Sequence, residues 1–145
     1  MHLRDIARKI KTNLRISTEM MDLRNRRLAE VTADDDFVVS DRLISLTLAQ
    51  ISENKALSQV YTELFDATGC EIYLRPSSFY IQNGVEVNFA TIALAARKRN
   101  EIALGWRRFI EVTQEHPHHG VILNPKYNQK VSFSDGDRIV VIAED

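Results

Sequence analysis

One cysteine, Cys70, stands in 145 residues, so an internal disulfide framework and a Cys-rich zinc site are both excluded. A lone thiol fits a reducing compartment. Five glycines are scattered singly, and neither a Gly-x-Gly-x-x-Gly loop nor a Gly-Lys-Ser/Thr loop is present to cradle a phosphate. Long apolar runs are missing too. Nothing approaches the roughly 18 to 20 residues that cross a bilayer, and Arg4, Asp5, Arg8 and Lys9 stand where a signal peptide would be apolar. Charge of one sign is also lacking, with 19 Lys and Arg against 20 Asp and Glu. What remains is a globular balance, 44% hydrophobic and 27% charged, in a chain long enough for one domain or two small lobes.

The near-neutral total hides an uneven distribution. Met1 to Ala33 holds eight basic and four acidic residues, a balance of +4, which leaves eleven basic and sixteen acidic residues, or −5, in the rest. Arg4, Arg8, Lys9, Lys11 and Arg15, with Arg24, Arg26 and Arg27, form either a solvated helix face or a phosphate-facing patch. The solvated face accounts for them more simply, and no nucleic-acid partner is expected.

The stretch from Asp34 to Asn54 says most about organisation. Phe37-Val38-Val39 is a brief strand-type run, and Ser40 then supplies an N-cap hydroxyl, with Asp41 complementing the helix dipole. Leu43, Ile44, Leu46, Thr47, Leu48 and Ile51 follow. These cover more of the helix than the stripe a surface helix needs, so burial on several sides is expected, between two lobes.

Upstream, Leu3, Ile6, Ala7 and Ile10 recur at helical spacing and Leu14 to Ser17 alternates like a strand. Asp22 can cap a helix carrying Leu23, Leu28, Ala29 and Val31. Residues 1–40 therefore read α-β-α-β, the pattern of parallel strands with crossovers. Two strands are too few for such a sheet, so this part reads as the back end of a truncated, doubly wound sheet, and Met1 as an internal boundary. Residues 41–54 form the linking helix and 55–145 a second lobe.

In that lobe Leu57, Val60, Tyr61, Leu64 and Phe65 define an amphipathic helix, with Gly69 following its end. Glu71 to Arg75 alternates and stops at Pro76; Ser77 to Val87 reads as a loop with a turn at Asn83-Gly84. Asn88 can cap a helix carrying Phe89, Ile92, Ala93 and Ala96, and Arg97, Lys98 and Arg99 suit its C-terminal end. Glu101 to Arg107 places Ile102, Leu104 and Trp106 on one strand face. Val121 to Leu123 and Arg138 to Ile142 are further strands, and the lobe is a small α+β sandwich.

Three constellations invite a chemical reading. His116, His118 and His119 are close in sequence but lack the helical spacing that aims two imidazoles at one ion. Asp34-Asp35-Asp36 offers carboxylates for Ca²⁺ without the alternating ligands and glycine of an EF-hand loop, and it equally suits a polar turn. Ser40-Asp41 and Ser134-Asp135 have no His or Lys at an interpretable spacing. No catalytic set emerges, and the expectation is a non-enzyme.

Asp36 to Asn54, the upstream Glu19-Met20-Met21-Asp22-Leu23-Arg24-Asn25-Arg26 and the closing Gly136-Asp137-Arg138-Ile139-Val140-Val141-Ile142-Ala143-Glu144 resemble the cytosolic part of the Castor and Pollux ion channels and their bacterial relatives. That family is similar to the regulators of potassium conductance, Rossmann-like gating domains also found in Trk-type potassium uptake. The resemblance implies an α/β fold in which a crossover helix joins the sheet to a small α+β lobe. It also implies a regulatory domain coupling ligand or ion sensing to a cation pore, on the cytoplasmic side of a membrane. Leu43, Ile44, Thr47, Leu48 and Ile51 would pack against a second copy, within a homodimer or a larger ring. Ca²⁺, another cation or a nucleotide would be the ligand of the longer protein, with Asp34, Asp35 and Asp36 as the local metal candidates. No pore, filter or glycine loop lies in this sequence. Competing expectations are a Trk-type uptake regulator, the tail of a nucleotide-dependent oxidoreductase, and a nucleic-acid module using Arg4 to Arg27, which requires strongly salt-dependent binding.

Overall fold

The computed structural model describes residues 17–20, 36–66, 68–109 and 120–144. They fall into two compact units, residues 1–58 and 59–145.

In the first unit β1 (Ser17–Met20) and β2 (Asp36–Val39) pair in parallel, with Ser17 opposite Asp36 and Met20 opposite Val39. The expected parallel pairing is therefore present; of the alternation at 14–17 only Ser17 lies within the described residues. The helices expected around Leu3 to Ile10 and after Asp22 lie outside the described residues. Helix α1 (Ser40–Glu53) follows β2 directly, so Ser40 is its first residue rather than its cap. Asn54 ends it: the Asn54 N–H donates to the Gln50 carbonyl (3.2 Å), and its own carbonyl and side-chain oxygen accept from Leu57 N (3.0 Å) and Ala56 N (3.1 Å). That polar joint lets α2 (Leu57–Phe65) start immediately, with Tyr61 and Phe65 stacked one turn apart.

The second unit is built on a four-stranded antiparallel sheet ordered β3 (Cys70–Pro76), β8 (Arg138–Glu144), β5 (Ile102–Arg107), β6 (Val121–Leu123). Helix α3 (Phe89–Arg97) and a ribbon of β4 (Glu86–Asn88) with β7 (Lys130–Ser132) belong to the same core. That core joins Phe89, Ile92 and Ala96 of α3 to Trp106, Val131, Phe133, Ile139, Val141 and Ala143. Trp106 meets Phe89 and Phe133 edge to face, at 5.9 and 5.8 Å between ring centres. Asn88 caps α3 as expected, its side-chain oxygen accepting the Thr91 N–H at 3.0 Å.

Two expectations in this lobe require correction. Residues 77–87 are not simply a loop: a 3₁₀ turn (Ser77–Phe79) precedes β4, and β4 and β7 are too short for a period to show. Ile102, Leu104 and Trp106 do not share a face either. Ala103 pairs with Val141 but Gly105 with Val140, so Leu104 is bulged out and the alternation flips. Trp106 is therefore 2% exposed in the core while Ile102 is 64% exposed on the far face. Gly105 permits the close pairing beyond the bulge, since a Cβ there would collide with the Ile122 carbonyl. On the far face Ile72 and Leu74, opposite Ile142 and Val140, are also exposed, as is Leu123.

Among the described residues no helix is long and apolar enough to cross a membrane.

Candidate functional site

Two places carry more than folding alone explains: the apolar side of α1 and a charged knot beside α3. At about 100° per residue, Leu43, Ile44, Thr47, Leu48 and Ile51 fall within an arc of about 140° on α1. None of α1 is buried, and Leu48 is 60% exposed. Among the described residues the burial on several sides expected for this helix is not supplied. Its polar atoms, however, are already settled. The Thr47 hydroxyl donates to the Leu43 carbonyl (2.8 Å) and the Ser45 hydroxyl to the Asp41 carbonyl (2.7 Å), so Thr47 can enter an apolar contact without stranding a donor. Completing the burial of a half-exposed Leu or Ile contributes about 1 kcal/mol.

The knot forms where α3 ends. Asn100 adopts φ +60°, a left-handed conformation that Asn tolerates, and closes a Schellman turn: Asn100 N donates to Arg97 O (3.1 Å) and Glu101 N to Ala96 O (3.1 Å). This turn folds Glu101 back beneath the helix, leaving it 6% exposed. The Tyr80 hydroxyl donates to one carboxylate oxygen in a short hydrogen bond, while the other faces Arg75 Nε at 3.3 Å and Arg99 Nε at 3.6 Å. Arg75 lies over the Tyr73 ring (4.5 Å), and Arg99 lies over Phe79 (5.3 Å) and Tyr80 (5.6 Å). Burial, and then the bond to Glu101, push the Tyr80 phenol well above its ordinary value of 10.0. Tyr80 stays a neutral donor and the charge remains on the other groups.

A second buried carboxylate explains the Gly-Asp-Arg-Ile ending. Asp137 accepts from Phe109 N (2.7 Å) with one oxygen and from Ser134 N (2.9 Å) with the other, which also faces Arg108 Nε at 3.2 Å. Gly136 precedes it at φ +95°, where a Cβ would press on the Phe109 ring at 2.9 Å. This arrangement ties the end of β5 to the turn before β8. It is a structural clasp, closed and without room for substrate.

Of the residues singled out from sequence, the structure brings Leu43, Ile44, Thr47, Leu48 and Ile51 together on one helix. Asp34 and Asp35 lie outside the described residues, as do His116, His118 and His119; Asp36 opens β2. Among the described residues no three His, Cys, Asp or Glu side chains gather as a metal site. The Glu101 knot was missed, because Arg97 to Arg99 had an explanation in the helix dipole and nothing local ties Arg75 or Tyr80 to Glu101. Only Asn100 after a cationic helix end hinted at the turn that brings Glu101 under.

No family model matches the chain. Individual relatives do. A protein named probable ion channel POLLUX from Arabidopsis thaliana is 36% identical over 129 residues, 88% of this chain and 15% of its own length. Probable ion channel CASTOR from Oryza sativa subsp. japonica is 36% identical over 132 residues, 89% of this chain and 14% of its own. Ion channel CASTOR from Lotus japonicus is 33% identical over 129 residues, again 89% and 14%. The chain thus spans about one seventh of the length of the relatives it matches. With identity sustained along nearly all of its length, this chain belongs to the Castor and Pollux ion-channel family.

Proposed function

We propose that this segment is a regulatory domain of a cation channel, potassium being the first ion to test, and that it acts by assembling with further copies rather than by catalysis. The observation that carries this reading is α1, a helix whose apolar arc stays uncovered among the described residues while the Thr47 hydroxyl within it is bonded to the helix itself. Leu43, Ile44, Thr47, Leu48 and Ile51 would meet the same arc of a second copy, a self-complementary contact of the kind two-fold dimers use. The far sheet face, with Ile72, Leu74, Ile102 and Leu123 exposed, gives a dimer a second apolar surface from which a larger ring can grow.

Position in the fold supports a transmitting role. Helix α1 leaves a parallel strand directly and hands over to the antiparallel lobe through the Asn54 joint. A rearrangement in either lobe would pass through this helix, and a contact between copies would convert it into a change of ring geometry. Membership in an ion-channel family supports placing the pore in the rest of the longer protein, with this segment on its cytoplasmic side.

The test is cation flux through liposomes carrying the full-length protein that contains this segment, compared with its Leu48→Asp variant at equal incorporation. Flux whose ligand or ion dependence is altered by the substitution supports the reading. Flux that keeps its regulation unchanged removes α1 from the gating path.

A further inference from the structure

A groove of about 420 Å³ runs between α3 and the 3₁₀ turn after β3. One wall is the α3 stripe Thr91, Leu94, Ala95 and Lys98, at i, i+3, i+4 and i+7; the other is Phe79 and Tyr80. Arg99 closes the end beside Lys98. Two features of this groove are unexplained by folding. First, Leu94 and Phe79, two large apolar side chains on the two walls, line it while remaining more than half exposed. Second, its charges do not cancel. Lys98 and Arg99 line it and, among the described residues, no acidic side chain does.

The cations are held differently. Arg99 is fixed through Nε against Glu101 and through its plane over the two rings, yet among the described residues its terminal amino groups make no hydrogen bond. The Lys98 ammonium has no hydrogen-bond or ion-pair partner among them either. A pre-oriented guanidinium fork beside a free ammonium is the donor set that takes up an oxyanion. The α3 carbonyls at that end are occupied: Leu94 O accepts from Lys98 N, Ala96 O from Arg99 N and Glu101 N, and Arg97 O from Asn100 N. This bonding blunts the negative helix end that would otherwise oppose an anion.

We propose that this groove binds a small aromatic anion, a flat ring lying between Phe79 and Leu94 with its phosphate or carboxylate on Lys98 and Arg99. The Tyr80 hydroxyl, committed to Glu101, serves as a positioning residue that keeps the carboxylate, and through it Arg99, in place. The inference concerns the second lobe alone and stands or falls independently of channel gating.

Phenyl phosphate, inorganic phosphate and phenol titrated separately into ¹⁵N-labelled protein distinguish the parts of the claim. Phenyl phosphate is expected to move the Thr91, Leu94, Lys98 and Arg99 amides and to saturate with Kd on the order of 1 mM. Phosphate and phenol alone should bind at least about tenfold more weakly, because each makes only half of the contacts. Lys98→Glu should weaken phenyl phosphate by about tenfold or more. Its ammonium has no partner among the described residues, so the remaining spectrum should stay unchanged. Leu94→Glu should have the same effect from the other wall, and provides the test if Lys98→Glu perturbs the fold. Shifts that do not saturate, that map away from α3, or that persist in both variants overturn the proposal. Equal binding of phenol overturns the anion site, and equal binding of inorganic phosphate overturns the ring site.

Discussion

Helices α1 and α3 make an instructive pair. α3, nine residues long, buries Phe89, Ile92 and Ala96 under a sheet and a ribbon. α1, fourteen residues long with Leu43, Ile44, Leu46, Leu48 and Ile51, buries none of them. Apolar content therefore does not decide burial; a facing surface does, and for α1 the described residues do not provide one. A lone helix of this length is marginal in water, and most of its stability comes from whatever packs on its face. The second lobe has a core of its own, and α1 is proposed to find its cover in a second copy. That contrast is the physical content of the proposed regulatory role.

The contrast can be broken first on the closed side. Trp106→Ala should cost about 3 to 5 kcal/mol, because the ring bridges Phe89 and Phe133 and its loss leaves a cavity. Thermal unfolding followed by circular dichroism would register it as loss of the cooperative transition of the second lobe. Asp137→Ala comes next, at about 3 kcal/mol, since it leaves Arg108 beside an uncompensated site and two backbone N–H groups without their acceptor. Urea denaturation should show a lower midpoint with an unchanged slope.

Tyr80→Phe should be milder, about 1 kcal/mol, the loss of one hydrogen bond to a charged group. Its pH dependence is the sharper readout. A phenol whose proton is held more tightly in the folded state contributes stability that is fully present below 10.0 and is lost as pH rises above it. In an ultraviolet titration Tyr80 should therefore ionise well above 10.0, and the Phe variant should lack that step.

Much of this molecule was legible in the sequence, and the failures have a common cause. Long periodic elements were readable: α2 runs from Leu57 to Phe65 as its spacing indicates, and Asn88 caps α3. The hidden features depend on partners distant in the chain. The bulge at Leu104 becomes visible only against Val140 and Val141, and it decides that Trp106 rather than Ile102 enters the core. β4 and β7 have three residues each and exist because they pair with each other. Glu101 reads as the polar start of a strand until Asn100 turns it beneath α3, towards Tyr80 and Arg75. The apolar arc of α1 was plain from sequence, but its exposure among the described residues was not, because a residue string records hydrophobicity without recording what faces it.

The smallest expected effect on folding belongs to Leu48→Asp, within about 0.5 kcal/mol for the single chain because Leu48 is already exposed. Its effect on association should be the largest of all. Sedimentation equilibrium of the chain and of its Leu48→Asp variant, at about 10 to 100 µM where contacts of this strength become populated, is the direct measurement. The account predicts a reversible dimer or larger assembly for the parent sequence and a folded monomer for the variant. A parent chain that stays monomeric throughout this range, or a variant that associates equally well, would contradict it.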